Sequence, residues 1–167
     1  MTLTGISGVT FSALEISGET IYLSGEVNSS TVVELTGSII LTADTHLFAG
    51  QTSFIDGSIT GQNSDETLTI SSTAADVDWN FTGTVDSLDT LTIESARHVQ
   101  FDDAITVSGT FEQLSGTGTT TLDGSVAAES VNLSTSALEI NQNITLSTGL
   151  LELTTDSLAI AETATIT

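Results

Sequence analysis

Apolar residues in this chain recur in pairs with one polar residue between them. "WNF" gives Trp79 and Phe81, "VQF" Val99 and Phe101, "LEI" Leu138 and Ile140, and "LAI" Leu158 and Ile160. A short polar turn follows each pair, and then a second alternating run: "ITV" with Ile105 and Val107, "ITL" with Ile144 and Leu146, "ATI" with Ala164 and Ile166. A third set reads "TLTI" at 67–70 and 90–93, "VNL" at 131–133 and "LEL" at 151–153. Alternation of period two in short runs bounded by turn residues predicts half-buried strands, one face inward and one outward. Thr, Val and Ile favour the pleated chain, and no segment shows a helical period.

The runs repeat. Aligned on an apolar residue, a short polar turn and a β-branched residue, with Ala164 in that place in the last, the chain reads "LSGEV" at 23–27, "LTADT" at 41–45, "IDGSI" at 55–59, "FTGTV" at 81–85, "FDDAI" at 101–105, "LDGSV" at 122–126, "INQNI" at 140–144 and "IAETA" at 160–164. From Phe81 the first positions are spaced 20, 21, 18 and 20; before it the spacings are 18, 14 and 26. The register before residue 81 is therefore the least secure, and the expectation is that Ile55 is misplaced or that loop length varies between coils. Two or three short strands per roughly 20 residues, recurring about eight times, predict an all-β parallel β-helix, or β-solenoid. Residues 1–167 then form one repeat domain, a rod on the order of 40 Å long at about 4.8 Å per coil. Gly25, Gly57, Gly83 and Gly124 fall at one place in the turns, where positive φ is expected. Ala43, Asp103, Gln142 and Glu162 occupy that place in the other four.

Charge narrows the partners. Twenty-two acidic residues face a single base, Arg97, for a net charge of −21. Nucleic acid is excluded, because phosphate binding rests on Lys and Arg that this chain lacks. Anionic membranes and acidic polysaccharides are disfavoured on the same ground; cations, neutral glycans and protein surfaces remain. An apolar content of 38% with only 14% charged residues is that of a folded chain rather than a disordered one. Without cysteine there are no disulfides or thiolate metal sites. No run approaches the roughly 18 apolar residues of a membrane helix, and "MTLTGISGVT" lacks the basic start and apolar segment of a signal peptide.

The stretch "GTVDSLDTLTIESARHVQFDDAITVSGTFEQLSGTGTTTLDGSV" resembles the repeats of very large secreted bacterial proteins: the filamentous-haemagglutinin-like, autotransporter-passenger and β-strand-repeat adhesins. The likeness is one of repeat style, clearest over 64–160. It implies a right-handed parallel β-helix at the bacterial cell surface or outside the cell, used for display, adhesion or matrix formation. A start at Met1 and a stop in mid-pattern at "ETATIT" suggest an excised piece of a longer chain.

Candidate chemistry is sparse. Asp102-Asp103 invites comparison with β-helical polysaccharide hydrolases, which use clustered acids in general acid–base catalysis. In the alignment, however, Asp102 matches Asp56, Asp123, Thr82 and Asn141, all able to bond a turn backbone, so the doublet reads as a bend. Calcium, which wants six to eight oxygen ligands, is the alternative for Asp102, Asp103 and Asp123, or for Asp86 and Asp89, but no calcium-loop motif surrounds them. His46 and His98 have no second ligand at metal spacing, and His98 beside Arg97 reads as an exposed strand residue. Trp79 alternates with Val77 and Phe81 and reads as core rather than as a sugar platform. Thr-x-Thr pairs at 67/69, 90/92, 119/121 and 163/165 do not recur in every coil, as an ice-binding array would require. Asn28, Asn80, Asn132 and Asn143 fit the Asn-x-Ser/Thr sequon, expected by chance in so Ser- and Thr-rich a chain.

No catalytic, cofactor or metal residue is therefore assigned. The expected function is that of a non-enzymatic structural or adhesive rod segment, bacterial and extracellular. Its expected partners are neighbouring repeats, other surface proteins or neutral glycans, with end-to-end self-association open to it. The rival is a carbohydrate- or calcium-binding module on the same scaffold, and a polysaccharide-active enzyme stands behind that.

Overall fold

A computed structural model describes residues 2–3, 9–72 and 76–167, with only the backbone of residues 2 and 3. The described residues form strands and turns with no helix, and every strand pairing is parallel. Two long strands, Leu14–Ser29 and Val33–Ala49, run through their corners unbroken; from Ser53 to Ile160 the strands are three to six residues long. Each turn of chain lies over the last, forming a three-sided β-solenoid.

Registered pairings define the faces. On the first, Ile16, Leu35, Ile55, Phe81, Phe101, Leu122, Ile140 and Ile160 stand in one interior file, so seven steps carry the chain through eight levels. On the second, the file is Ile21, Ile39, Ile59, Val85, Ile105, Val126 and Ile144. On the third it is Val27, Leu47, Ile70, Ile93, Gln113, Leu133 and Leu153. Nearly all of these side chains are buried in one continuous core, while the alternate positions carry Thr, Ser, Asn, Asp and Glu to solvent. Burial of aliphatic area on three sides is the main stabilising term, at about 25 cal/mol per Å².

Size is matched within files. Trp79 is fully buried between Ser53 and Val99, its small and medium neighbours one level either side. The indole lies near-parallel to Phe81 at 6.2 Å. The core reading of Trp79 holds. Several polar side chains inside the rod are bonded to its own backbone and to one another, while Trp79 Nε1 and Gln113 Nε2 are buried without a partner among the described residues. Ser53 Oγ accepts from Val33 N at 2.9 Å and donates to Gln51 O at 2.9 Å. Thr120 Oγ1 donates to Gln113 Oε1 at 2.6 Å, and Thr135 Oγ1 donates to Gly118 O at 3.0 Å.

Two expectations are corrected. Ile55 is correctly placed; the misplaced residues are Leu23 and Leu41, which pair with each other on the second face. "LSGEV" and "LTADT" span the corner between the second and third faces, where the same apolar–polar–apolar wording recurs. The irregular step comes from extra residues at two corners. Ile59 to Ile70 takes 11 positions where Val85 to Ile93 takes 8, and Ile70 to Phe81 takes 11 where Ile93 to Phe101 takes 8. The second correction concerns glycine. Gly37, Gly57, Gly83 and Gly124 line the corner between the first and second faces, and only Gly37 and Gly57 have φ in the positive region, at 131° and 139°. At these four levels the corner leaves no room for a side chain, while Asp103, Gln142 and Glu162 hold the same place at other levels. A Cβ would come within 1.8 Å of Gly18 O at Gly37, 2.1 Å of Gly37 O at Gly57, 2.4 Å of Gly57 C at Gly83 and 2.1 Å of Asp103 C at Gly124. Gly25, with φ 80°, belongs to the next corner.

Candidate functional site

The corner holding Asp102 and Asp103 carries the same backbone bond at each level from Thr82 to Ala161. Thr82 N donates to Ile55 O, Asp102 N to Phe81 O, Asp123 N to Phe101 O, Asn141 N to Leu122 O and Ala161 N to Ile140 O, all at 2.8–3.1 Å. These bonds tie the end of each inward strand to the coil before it, and the side chain at each of these positions points away from the core. Those side chains then bond across and along the corner. Thr82 Oγ1 donates to Asp56 Oδ1 at 2.8 Å, Asn141 Nδ2 to Asp123 Oδ1 at 2.7 Å and Gln100 Nε2 to Asp102 Oδ1 at 2.7 Å. Asp103 Oδ1 accepts from Ala104 N at 2.7 Å, an Asp-to-backbone turn bond. Both carboxylates of the doublet are exposed; Asp103 bonds the turn backbone, and Asp102 accepts from the Gln100 side-chain amide.

Asp86 sits outward on the second face beside Thr60. Asp89 accepts from Thr90 Oγ1 at 3.1 Å and weakly from Ser108 Oγ at 3.4 Å. Among the described residues, no three His, Asp or Glu side chains converge where a metal ion would sit.

His46 and His98 lie on different faces. His46 Nε2 bonds Ser71 Oγ, and Glu94 Oε2 stands 3.8 Å from the same nitrogen. A hydrolytic relay needs the acid on the opposite ring nitrogen from the hydroxyl, which this arrangement does not supply. His98 Nδ1 accepts from Thr119 N at 2.9 Å, which ties the imidazole to the next coil. The Thr pairs 67/69 and 90/92 are in register over two levels, but Thr92 is buried and donates to Glu112 Oε1 at 2.9 Å. The threonine array extends no further on that face: the neighbouring outward positions are His46 and Glu112.

The single arginine is consumed within the structure. Arg97 Nε donates to Asp78 Oδ1 at 2.8 Å and Nη2 to Oδ2 at 2.6 Å, a two-point pair across one coil step. The Arg97 hydrogen bond holds the Asp78 carboxyl below its usual range, with help from His98 N and against partial burial. Residue 78 precedes 97 by 19 positions, so the coil period alone would have put them together. Glu66 is the other tuned acid. It is buried, which opposes ionisation, yet the N–H groups of Asn63, Glu66 and Asp65 and the Asn63 amide outweigh burial and hold its carboxyl below the ordinary value. Asn63 N donates to Oε1 and Oε2 at 3.0 and 3.1 Å, closing the extra loop after Gly61. Sequence reasoning missed this residue because the insertion that it closes blurs the local register.

Surface relief is shallow. A depression of about 330 Å³ is lined by Thr42, Ala43, Asp44, Asn63, Asp65 and Glu66; one of about 280 Å³ lies at the Ser115–Gly116 corner between the third and first faces. The outer side of the first face carries one large exposed apolar residue near its middle, Phe54, between Glu34 and Asn80 in register. No helix among the described residues is long and apolar enough to cross a membrane.

No protein-family model, curated protein or solved structure matches this chain.

Proposed function

We propose that this chain is a non-enzymatic structural or adhesive rod segment of a bacterial surface or secreted protein, in the manner of the filamentous-haemagglutinin-like and autotransporter repeats it resembles. The observation that carries this reading is the unbroken interior file from Ile16 to Ile160. Backbone hydrogen bonds between levels run along the axis, so a load applied end to end is shared by three stacked ladders. The outward Thr, Ser, Asp and Glu keep such a rod soluble, and the net charge of −21 keeps parallel rods apart. With Arg97 already paired to Asp78, no guanidinium is left to grip phosphate or acidic sugar.

Force spectroscopy on the chain held at its two termini tests the mechanical role. The expected trace is a staircase, each coil of roughly 20 residues releasing about 70 Å of chain. Failure at loads that leave an ordinary globular domain folded overturns the stalk reading. Antibody labelling of intact cells of the source organism tests the location, and signal seen only after permeabilisation overturns it.

A glycan-binding role has one observation in its favour: Phe54 is 43% exposed between a carboxylate and an amide. An exposed ring can stack on a neutral sugar while Glu34 and Asn80 take its hydroxyls. Retention on a neutral glycan array that disappears in Phe54→Ala supports this second reading; equal retention removes it.

A further inference from the structure

We infer that the outer column of the first face running Phe54, Asn80, Gln100 and Thr121 is the binding strip for a linear, uncharged polysaccharide lying along the rod axis. The inference rests on the glycan reading of Phe54 and deepens it, adding the kind of glycan and its direction. Unbroken registers place these four side chains one above another: Phe54 against Asn80, Asn80 against Gln100, and Gln100 against Thr121. Neighbours on such a ladder stand about 4.8 Å apart, close to the advance of one pyranose along an extended chain. The strip runs from the third to the sixth of the eight levels, so further coils bound it on both sides.

Its polar groups are open to a ligand. Asn80 and Thr121 have no side-chain partner among the described residues, and Gln100 commits only its Nε2, to Asp102. Phe54 is exposed at the foot of the strip. On the third face, by contrast, His46 bonds Ser71 and Thr92 bonds Glu112. The outward positions of the second face at these levels, Thr60, Asp86 and Thr106, include no ring.

Charge selects the polymer. From Phe54 to Thr121 the column has no ionisable side chain, in a chain with 22 acidic residues. Glu34 precedes it and Glu139 follows it, while Asp56, Asp102 and Asp123 line the next outward position along the strands. An uncharged sugar chain finds a ring for one apolar face, amides that donate and accept, and flanking carboxylates that accept from its hydroxyls. A uronic or sulfated chain meets those carboxylates with no base to offset them, because Arg97 is held by Asp78. An extended peptide binds by pairing its backbone to an open sheet edge, and this face offers side chains only.

Calorimetry of the whole chain with linear gluco-, manno- and galacto-oligosaccharides of rising length tests the proposal. For the sugar that fits, affinity should climb from the disaccharide and level off at about four units, the span of four coil levels. Oligogalacturonate of the same length should bind far more weakly. Phe54→Ala should lower the affinity several-fold through the lost ring contact. Gln100→Ala and Thr121→Val, each removing one hydrogen bond, should lower that of the tetramer by about two- to tenfold and leave the disaccharide seated at Phe54 unaffected. Thr106→Val on the second face is the control that changes nothing. Binding that needs Phe54 but gains nothing with length, or that ignores Gln100→Ala and Thr121→Val, overturns the axial strip and leaves the glycan reading standing. Equal affinity for oligogalacturonate overturns the choice of an uncharged chain. No affinity for any of these sugars overturns both the strip and the reading beneath it.

Discussion

Phe81 and Phe101 stack face to face inside the rod, ring centroids 4.5 Å apart and planes inclined by 10°. Their strands pair in register, so the rings meet because the chain returns to the same interior point one coil later. Phe111 meets Phe101 edge-on at 5.6 Å, which makes the middle levels the most densely aromatic part of the core. Phe101→Ala should cost about 3–5 kcal/mol, the transfer term plus an unfilled cavity. Urea unfolding measures it, with Gln100→Ala on the outer side of the same strand as the near-neutral comparison.

The glycine column predicts a sharp asymmetry at a single corner. Gly124→Ala drives a methyl to 2.1 Å from the Asp103 backbone, which cannot yield as a side-chain tip would. A loss of about 1–3 kcal/mol is expected from forced overpacking. Ser125→Ala, exposed one residue on, should stay within about 0.5 kcal/mol. Thermal melts of the two variants side by side decide it.

The Arg97–Asp78 pair predicts a pH-dependent contribution of definite sign. The Asp78 pKa is lower in the folded chain than in the unfolded one, where an aspartate titrates near about 3.9. The stabilisation is thus fully present above that unfolded value and is lost as pH falls through the lower folded value. Melting temperatures of wild type and Arg97→Gln should differ at neutral pH and converge in strong acid. The difference between the two chains is the quantity to follow, because acid also relieves repulsion among the other carboxylates in both. A gap that widens toward low pH would contradict the pairing.

For the aspartate doublet the bend reading predicts indifference. In Asp102→Asn with Asp103→Asn, the side-chain oxygens that receive Gln100 Nε2 and Ala104 N are retained. Stability should move by no more than about 0.5 kcal/mol, as for other surface changes. Any polysaccharide hydrolysis detected with the wild-type chain should survive; its loss in a folded double variant would return the pair to catalysis.

Much of this architecture was legible in the sequence. The file Phe81, Phe101, Leu122, Ile140 and Ile160 follows from spacing alone, because these coils keep a length of 18 to 21 residues with no insertion between them. What spacing could not separate was one corner from another. The corner after the first face and the corner after the second can both pass from an apolar strand end through three intervening residues to the next strand, so Leu23 and Leu41 fitted the series as well as Ile16 and Leu35, which in fact lead it. Gln113 and Thr120 were illegible for a different reason. Alternation marks which positions face inward, but the hydrogen bond between two such polar residues joins successive strands on different faces, across a corner that the alternation does not describe. Of the candidate chemistry, the turn bond of Asp103 was readable from the doublet, while the Glu66 cap lay hidden in the insertion.

Ser53 beside Trp79 shows that these coils, alike in backbone, are not interchangeable parts. The indole occupies room left by the small residue one level before it, so a second copy of the tryptophan coil inserted next to the first would set one indole upon another. Lengthening such a rod by plain duplication would therefore lose the pairing of a large side chain with a small one that Trp79 and Ser53 make at this level.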